Sequence, residues 1–240
     1  MVGLFKILCG HDNGESAQAG MPKTTSIHFA YSRDGFHFTR PDRTPAIDGS
    51  GWGSGAWDSG YVGNISSCFA INDERLWFYY VGARGDATQN DPPRCMLANG
   101  MHYNFCVGLA TLRRDGFVGL VADGRGEVTT KPVTFSGKHL FVNAECRFGS
   151  LAAEVLDEKG GVLPGFEAVD CLPLVRTDST KAEIWWRGGD LAALAGKAVR
   201  FRFKLHCGTF YSFWVSTDPS GKSGGYLAAG GPAYSGLRDL

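Results

Sequence analysis

The segment 107-VGLATLRRDGFVGLV-121 contains two runs of strand-forming residues on either side of the turn sequence RDGF at 114–117. The same four residues recur at 33–36, within 26-SIHFAYSRDGFHFTRPDRTPAI-47. An Asp-Gly pair between two such runs is typical of a β-hairpin, because glycine adopts a positive φ without steric penalty. The repeat therefore predicts two similar hairpins, and we interpret it as scaffold in which each aspartate bonds nearby backbone N–H groups.

The strand-forming pattern extends along the whole chain of 240 residues, and only 190-DLAALAGK-197 has a helical composition. Hairpins are predicted over residues 26–40, 60–83 and 105–122, and a further strand at the opening MVGLFKILCG. After residue 122, short strands recur about every 10 to 15 residues, among them 139–144, 150–157, 198–206 and 209–216, which is the spacing of a β-sandwich. We therefore expect an all-β protein with two domains, at residues 1–122 and 123–240.

The balanced charge of the chain argues against partners that bind through a strong net charge on the protein. Lysine plus arginine and aspartate plus glutamate each number 24, so the formal net charge is zero. No uniform basic surface is expected to attract nucleic acid or anionic lipid. The expected partner is therefore a neutral or small molecule.

The seven cysteines are scattered and never form C-x-x-C, which favours buried thiols in a reducing compartment over a disulfide framework. The histidines show no metal-ligand spacing, so neither a metal nor an organic cofactor is expected. The opening ten residues are too short for a membrane span and lack the features of a signal peptide. By default the expected location is the cytoplasm.

The predicted strands also form a larger repeat. Residues 56–121 make four successive antiparallel strands, and residues 26–47 match the last two strands of an earlier copy. Four-stranded units that repeat in this way are typical of the blades of a β-propeller. The sequence therefore predicts about one and a half blades, which cannot close a ring by themselves.

Four segments carry a resemblance to a known family: YSRDGFHF at 31–38, WDSGYV at 57–62, LWFYY at 76–80 and VGLATLRRDGF at 107–117. They resemble the final blades of five-bladed glycoside hydrolases, namely the propellers of the invertase, levanase and arabinanase type. Residues 127–216 are similar to the β-sandwich that follows such propellers. The resemblance implies a partial β-propeller followed by a β-sandwich, and an enzyme that hydrolyses a neutral saccharide with carboxylate acid/base chemistry.

The chain departs from this family in its catalytic motifs, which the family carries mainly on the early blades. Pro41-Asp42-Arg43 is not the Arg-Asp-Pro motif of the family. Glu145-Cys146 matches the glutamate-cysteine pair that often marks the acid, but it falls in the sandwich, so we interpret it as coincidence. The chain is then a fragment, a natural truncation, or a protomer that completes its propeller with copies of itself.

Asp58 is the first candidate for a catalytic carboxylate, because it lies at the start of the predicted innermost strand of a blade. Glycoside hydrolysis needs two carboxyl groups about 5 to 10 Å apart. Asp12 and Glu15, in the loop 11-HDNGE-15, are the candidates for the second group. The alternative role for Asp58 is to cap a turn with the Ser-Gly pair that follows it.

Trp52 and Trp57 lie among glycines in a long loop and are candidate platforms for sugar rings. Arg43 and Arg84 are candidate donors to sugar hydroxyls. The alternative for both tryptophans is that they anchor the loop to the core.

Two functional hypotheses remain open from the sequence. The first is a glycoside hydrolase, in which two carboxylates meet in one pocket. The second is a non-catalytic carbohydrate-binding or structural module. An open blade leaves strand edges unpaired, so we also expect the chain to form a homo-oligomer.

Overall fold

The structure is a computed structural model that describes residues 1–10, 12, 15, 18, 23–49, 51, 54–63, 65, 67–85, 102–227, 230–232 and 234–240. The chain divides into two compact units. The first unit comprises residues 1–68 and 77–111, and the second comprises residues 69–76 and 112–240. In the part of the chain that the structure describes, no helix is long and apolar enough to cross a membrane.

Strands β1 (Val2–Cys9), β2 (Thr24–Tyr31) and β3 (Ile47–Asp48) form an antiparallel sheet in that order. The predicted strand at the opening of the chain is confirmed, and it pairs with β2 along its whole length. The predicted hairpin over 26–40 is reduced to a single bridge between Tyr31 and Thr39.

A second sheet contains β4 (Tyr61–Gly63), β5 (Cys68–Ala70), β6 (Arg75–Ala83) and β7 (Phe105–Arg113). Both β4 and β5 pair with β6, so the single strand predicted over residues 60–71 is interrupted between its two ends. Strand β7 also pairs with β6. The core of the first unit is built on Ile27, Val62 and Tyr80, which are buried.

The second unit is built on one five-stranded sheet. Its strands are β8 (Leu120–Thr129), β9 (His139–Leu156), β10 (Cys171–Leu172), β11 (Leu174–Trp186) and β12 (Arg200–Ser216), in the order β10-β11-β9-β12-β8. The predicted helical segment forms a single 3-10 turn over Leu191–Leu194, and the side chain of Asp190 caps it by accepting from the N–H of Ala192. The expectation of an all-β chain is confirmed.

The long strands of this sheet bend back on themselves. Phe201 and Phe213 lie twelve residues apart on β12, yet their ring centroids are 5.5 Å apart. A straight strand would separate them by about 40 Å. Both halves of β12 and of β9 therefore face one hydrophobic core, which includes Val142, Val155, Phe201 and Phe210.

The bend explains two differences from the predicted strands. The segments expected as separate strands at 139–144 and 150–157 are the two halves of β9, and those at 198–206 and 209–216 are the two halves of β12.

Strand β8 pairs with β12 from Leu120 onward, so the segment after the second RDGF turn joins the five-stranded sheet. These residues therefore pair with a strand that is distant in the sequence, and do not form the hairpin predicted over residues 105–122.

The two RDGF turns have different backbone conformations. In the first, Gly35 has a φ of +83°, and Asp34 Oδ1 accepts from the N–H groups of Phe36 and His37 at 2.9 and 2.8 Å. The expected role of that aspartate is confirmed. In the second turn the positive φ, +52°, falls on Asp115 itself and not on the glycine.

Candidate functional site

The bend of the five-stranded sheet produces a crease, which we define as residues 145–150, 175–177 and 206–209. At this level the pairing of β9 with β11 and with β12 skips residues on both sides. Arg176 and Cys207 have φ values of +51° and +44° there. A positive φ is uncommon outside glycine, and strained backbone of this kind clusters at functional sites.

Two glycines allow β9 and β12 to approach each other at the crease. A Cβ on Gly149 would lie 1.7 Å from the carbonyl oxygen of His206. A Cβ on Gly208 would lie 2.4 Å from the carbonyl oxygen of Glu145. Because both neighbours are backbone atoms, only glycine fits at these two positions.

A groove of about 660 Å³ runs along the crease. Its functional side chains come from separate parts of the chain: Arg113, Glu145, Arg147, Phe148, Asp178 and Tyr211. The volume lies within the range of about 300–1,000 Å³ that is usual for small-molecule sites. We call this cavity the groove.

A carboxylate and two guanidinium groups form a bridge in the wall of the groove. Asp178 Oδ1 accepts from Arg113 Nη1 at 2.5 Å, and Asp178 Oδ2 accepts from Arg147 Nε at 3.1 Å. Arg113 also donates to Asn143 Oδ1 at 2.6 Å and to the carbonyl of Ala144 at 3.2 Å. The side chain of Arg113 is 20% exposed and that of Arg147 is 62% exposed, so Arg113 is fixed while Arg147 faces solvent.

The bridge determines the protonation state of Asp178. Burial acts to raise the pKa of Asp178, but the hydrogen bonds from Arg147 and Arg113 outweigh it and hold the pKa below its usual range. The carboxylate is therefore ionised at neutral pH, and both of its oxygens accept from guanidinium groups. Such a group is unsuited to act as a general acid, which needs a raised pKa.

Glu145 lies on the other side of Arg147. Its Oε1 is 3.7 Å from Arg147 Nε, and Asp178 Oδ2 is 3.1 Å from the same nitrogen. The two carboxylate oxygens are thus no more than about 7 Å apart, which is below the upper limit of about 10 Å between glycoside hydrolase carboxyl groups. Since Asp178 is committed to the bridge, the pair is better suited to bind hydroxyl groups than to transfer protons.

Two aromatic side chains line the groove in different ways. The guanidinium carbon of Arg113 lies 5.0 Å from the ring centroid of Tyr211, so the arginine covers a face of that ring. Phe148 is 89% exposed and lies beside Arg147 at the bend of β9. Phe148 is therefore the aromatic group of the groove that is open to a ligand.

The structure places Asp58 in the interior of the first unit. Asp58 is buried, and its Oδ2 accepts from the hydroxyl of Tyr80 at 3.0 Å. Burial and this hydrogen bond raise the pKa of Tyr80 to about 12. The N–H and the hydroxyl of the following Ser59 both bond the carbonyl of Ala56, so Asp58 lies within a turn.

Trp57 lies against the second sheet of the first unit. A Cβ on Gly82 or on Gly108 would lie 2.4 Å from its indole, so both glycines make room for the ring. The indole centroid is 5.5 Å from that of Tyr80, and the side chain remains 40% exposed. The packing supports the anchoring role, and the exposed area leaves a surface for a ligand.

The other residues predicted for the site are distributed over exposed positions. Asp12 Oδ1 accepts from the backbone N–H of Glu15 at 2.9 Å. Arg43 and Arg84 are exposed, and the carbonyl of Arg84 accepts from the hydroxyl of Ser59. Trp52 lies outside the residues that the structure describes.

The sequence does not predict the residues of the groove as a site. Glu145 stands out in it only as a coincidence, because its neighbour Cys146 completes a family motif in the wrong domain. The signal that does exist is the pair of isolated glycines at 149 and 208, since glycine inside a strand marks a bulge or a close backbone approach. No spacing in the sequence connects Arg113 to Asp178.

Comparison with known proteins identifies no relative from which a function could be transferred. No protein-family model, no curated protein and no solved structure matches the chain. The chemistry of the groove is therefore the basis for a functional proposal.

Proposed function

We propose that the chain is a carbohydrate-binding protein and that the groove holds a saccharide. The proposal depends on one observation, the exposure of Phe148. This residue is 89% exposed and lies beside the ion pair of Arg147 and Glu145. The C–H faces of a sugar ring stack on aromatic rings, while its hydroxyl groups bond carboxylates and guanidinium groups. The groove supplies both kinds of contact within one cavity.

The charges of the groove favour a neutral saccharide. The groove is lined by two guanidinium groups and three carboxylates, from Arg113 and Arg147 and from Asp123, Glu145 and Asp178. Both guanidinium groups already bond Asp178, so their positive charge is offset by that carboxylate before a ligand binds. A neutral hydroxyl can instead use the donors and acceptors that remain.

The proposed scaffold is a partial β-propeller at residues 1–122 followed by a β-sandwich at residues 123–240, of the type found in five-bladed glycoside hydrolases. Its support is the arrangement of antiparallel strands around β6 and the bent sheet whose two halves share one core. On this proposal the chain keeps the scaffold of a hydrolase and uses it to bind a saccharide.

A matched pair of phenylalanine variants tests the binding proposal. Phe148→Ala should weaken binding to neutral polysaccharides about tenfold, because it removes the stacking surface. Phe36→Ala is the control, since Phe36 is 87% exposed but lies in the first unit. Affinity electrophoresis gives the comparison, and equal mobility of both variants and the unmodified protein in every polysaccharide would contradict the proposal.

Glycoside hydrolysis is the second candidate, and Asp58 is the observation that favours it. Asp58 bonds Tyr80 and directly follows the half-exposed Trp57, so a buried carboxylate and a sugar platform are neighbours in the chain. Glu15 or Asp12 would supply the second carboxyl group. Hydrolysis of chromogenic glycosides that disappears in Asp58→Asn would establish this activity, and hydrolysis that persists in the variant would exclude Asp58 as its source.

A further inference from the structure

A second cavity adjoins the groove at the bridge. It has a volume of about 310 Å³ and is lined by Glu74, Arg75, Ser179 and Thr180 together with the bridge residues. The groove is lined by the same Arg113, Asp178 and Arg147. The bridge is thus a shared wall with one cavity on each side.

We infer that the two cavities are subsites of one extended binding site, and that its ligand is a neutral oligosaccharide that crosses the bridge. This inference rests on the proposed function. Each cavity by itself reaches the size of about 300–1,000 Å³ that is usual for small-molecule sites. A single sugar unit would leave one of them empty, whereas a chain of several units would contact both.

The two subsites have different chemistry. The groove contains Phe148 and therefore a stacking surface. Among the residues that the structure describes, those lining the second cavity are charged or hydroxyl-bearing, and none of them is aromatic. Glu74 and Arg75 are exposed at its rim, where they can bond sugar hydroxyls. One subsite thus recognises the face of a sugar ring and the other recognises its hydroxyl groups.

Arg147 occupies the point where the chain would cross. Its Nε and one terminal nitrogen donate to Asp178, and its side chain is 62% exposed. A guanidinium group has five N–H donors, so this arginine retains donors beyond those that the bridge uses. Because it lines both cavities, these donors can bond a hydroxyl at the junction of the two subsites.

Isothermal titration calorimetry with ladders of cello-, malto- and fructo-oligosaccharides of one to six units tests the inference. In the series that binds, the affinity should rise at least about tenfold between the disaccharide and the longest member, as expected for about 1.4 kcal/mol of added contacts. Glu74→Ala should reduce this gain for the long members and leave the shortest ligands unchanged. Phe148→Ala should weaken every member of the series.

The outcomes separate this inference from the proposed function. An affinity that is already constant from the disaccharide onward, or an equal loss at all lengths in Glu74→Ala, would overturn the extended site while the groove remains a saccharide site. An absence of binding in all three series would overturn the proposed function, and the extended site with it.

Discussion

The guanidinium group of Arg114 joins three segments of the second unit. It donates to the carboxylates of Asp73 and Asp239 and to the hydroxyl of Tyr234, and the arginine is buried. Arg33 has the same position in the other RDGF turn but is exposed. The repeated sequence therefore performs a structural role at the second copy that the first copy lacks.

Arg114→Ala should lower the free energy of unfolding by about 1.5–3 kcal/mol, because it removes a buried cation that the partly exposed carboxylates of Asp73 and Asp239 both bond. Arg33→Ala is the matched control and should change it by no more than about 0.5 kcal/mol. Urea unfolding followed by fluorescence measures both values. Equal losses in the two variants would show that burial of Arg114 does not distinguish the two turns.

The crease is the element on which the groove depends, and Gly149 tests it. Gly149→Ala should lower the free energy of unfolding by about 1–3 kcal/mol, because its Cβ would meet the backbone of His206 and one strand would have to move. It should also weaken saccharide binding, since the groove lies along the same bend.

Gly124→Ala on β8 is the control for this variant. A Cβ at Gly124 has no heavy atom within 4 Å, and the position does not have a positive φ. This variant should be neutral or slightly stabilising. Thermal unfolding that shows the same loss for both variants would contradict the account of the crease.

The sequence predicts those elements whose determinants are local. The opening strand, the single helical turn capped by Asp190 and the turn at Asp34 all follow from neighbouring residues. The joined halves of β9 and β12 do not, because Gly149 and Gly208 suggest breaks between strands and are instead bulges within them. The pairing of β8 with β12 also depends on residues about 80 positions away in the chain.

The same distinction separates the two candidate sites. Trp57 and Asp58 are adjacent in the sequence, so their proximity in the first unit could be predicted. The groove is assembled from β7, β8, β9, β11 and β12, and only the folded sheet brings Arg113, Arg147 and Asp178 together. A site of this kind has no local motif by which it could be found in the sequence.

At the scale of the whole molecule, paired carboxylates determine the stability in acid. Burial acts to raise the pKa of Glu154, but bonds from Lys204 and Arg202 outweigh it, and the pKa lies below its usual range. The pKa values of Asp73 and Asp178 are lowered in the same way by their cationic neighbours. Near the usual carboxyl pKa values the unfolded chain therefore binds more protons than the folded chain.

The stability that these groups contribute is present above the usual carboxyl pKa of about 4 and is lost as the pH falls through the lower folded values. The free energy of unfolding should therefore decrease steadily below about pH 4 relative to its value at pH 6. Glu154→Gln should make this decrease smaller. Urea unfolding at a series of pH values measures the slope, and a stability that is constant from pH 6 to pH 3 would contradict the prediction.

Self-association stays a prediction of the strand pattern. Within the residues that the structure describes, β7 pairs with β6 alone, and Phe105, Val107 and Leu109 on β7 are exposed. An exposed apolar edge strand is normally covered in proteins, and a second copy would cover it. Light scattering at micromolar concentration should give a multiple of 25.9 kDa. A uniform species at the mass of one chain would contradict this expectation.

Hydrogen–deuterium exchange with and without a saturating neutral oligosaccharide shows where the saccharide binds. If the crease holds it, exchange should slow at residues 145–150 and 206–211, which border the groove. Protection confined to residues 57–63, around Trp57 and Asp58, would contradict binding at the crease and place the saccharide in the first unit.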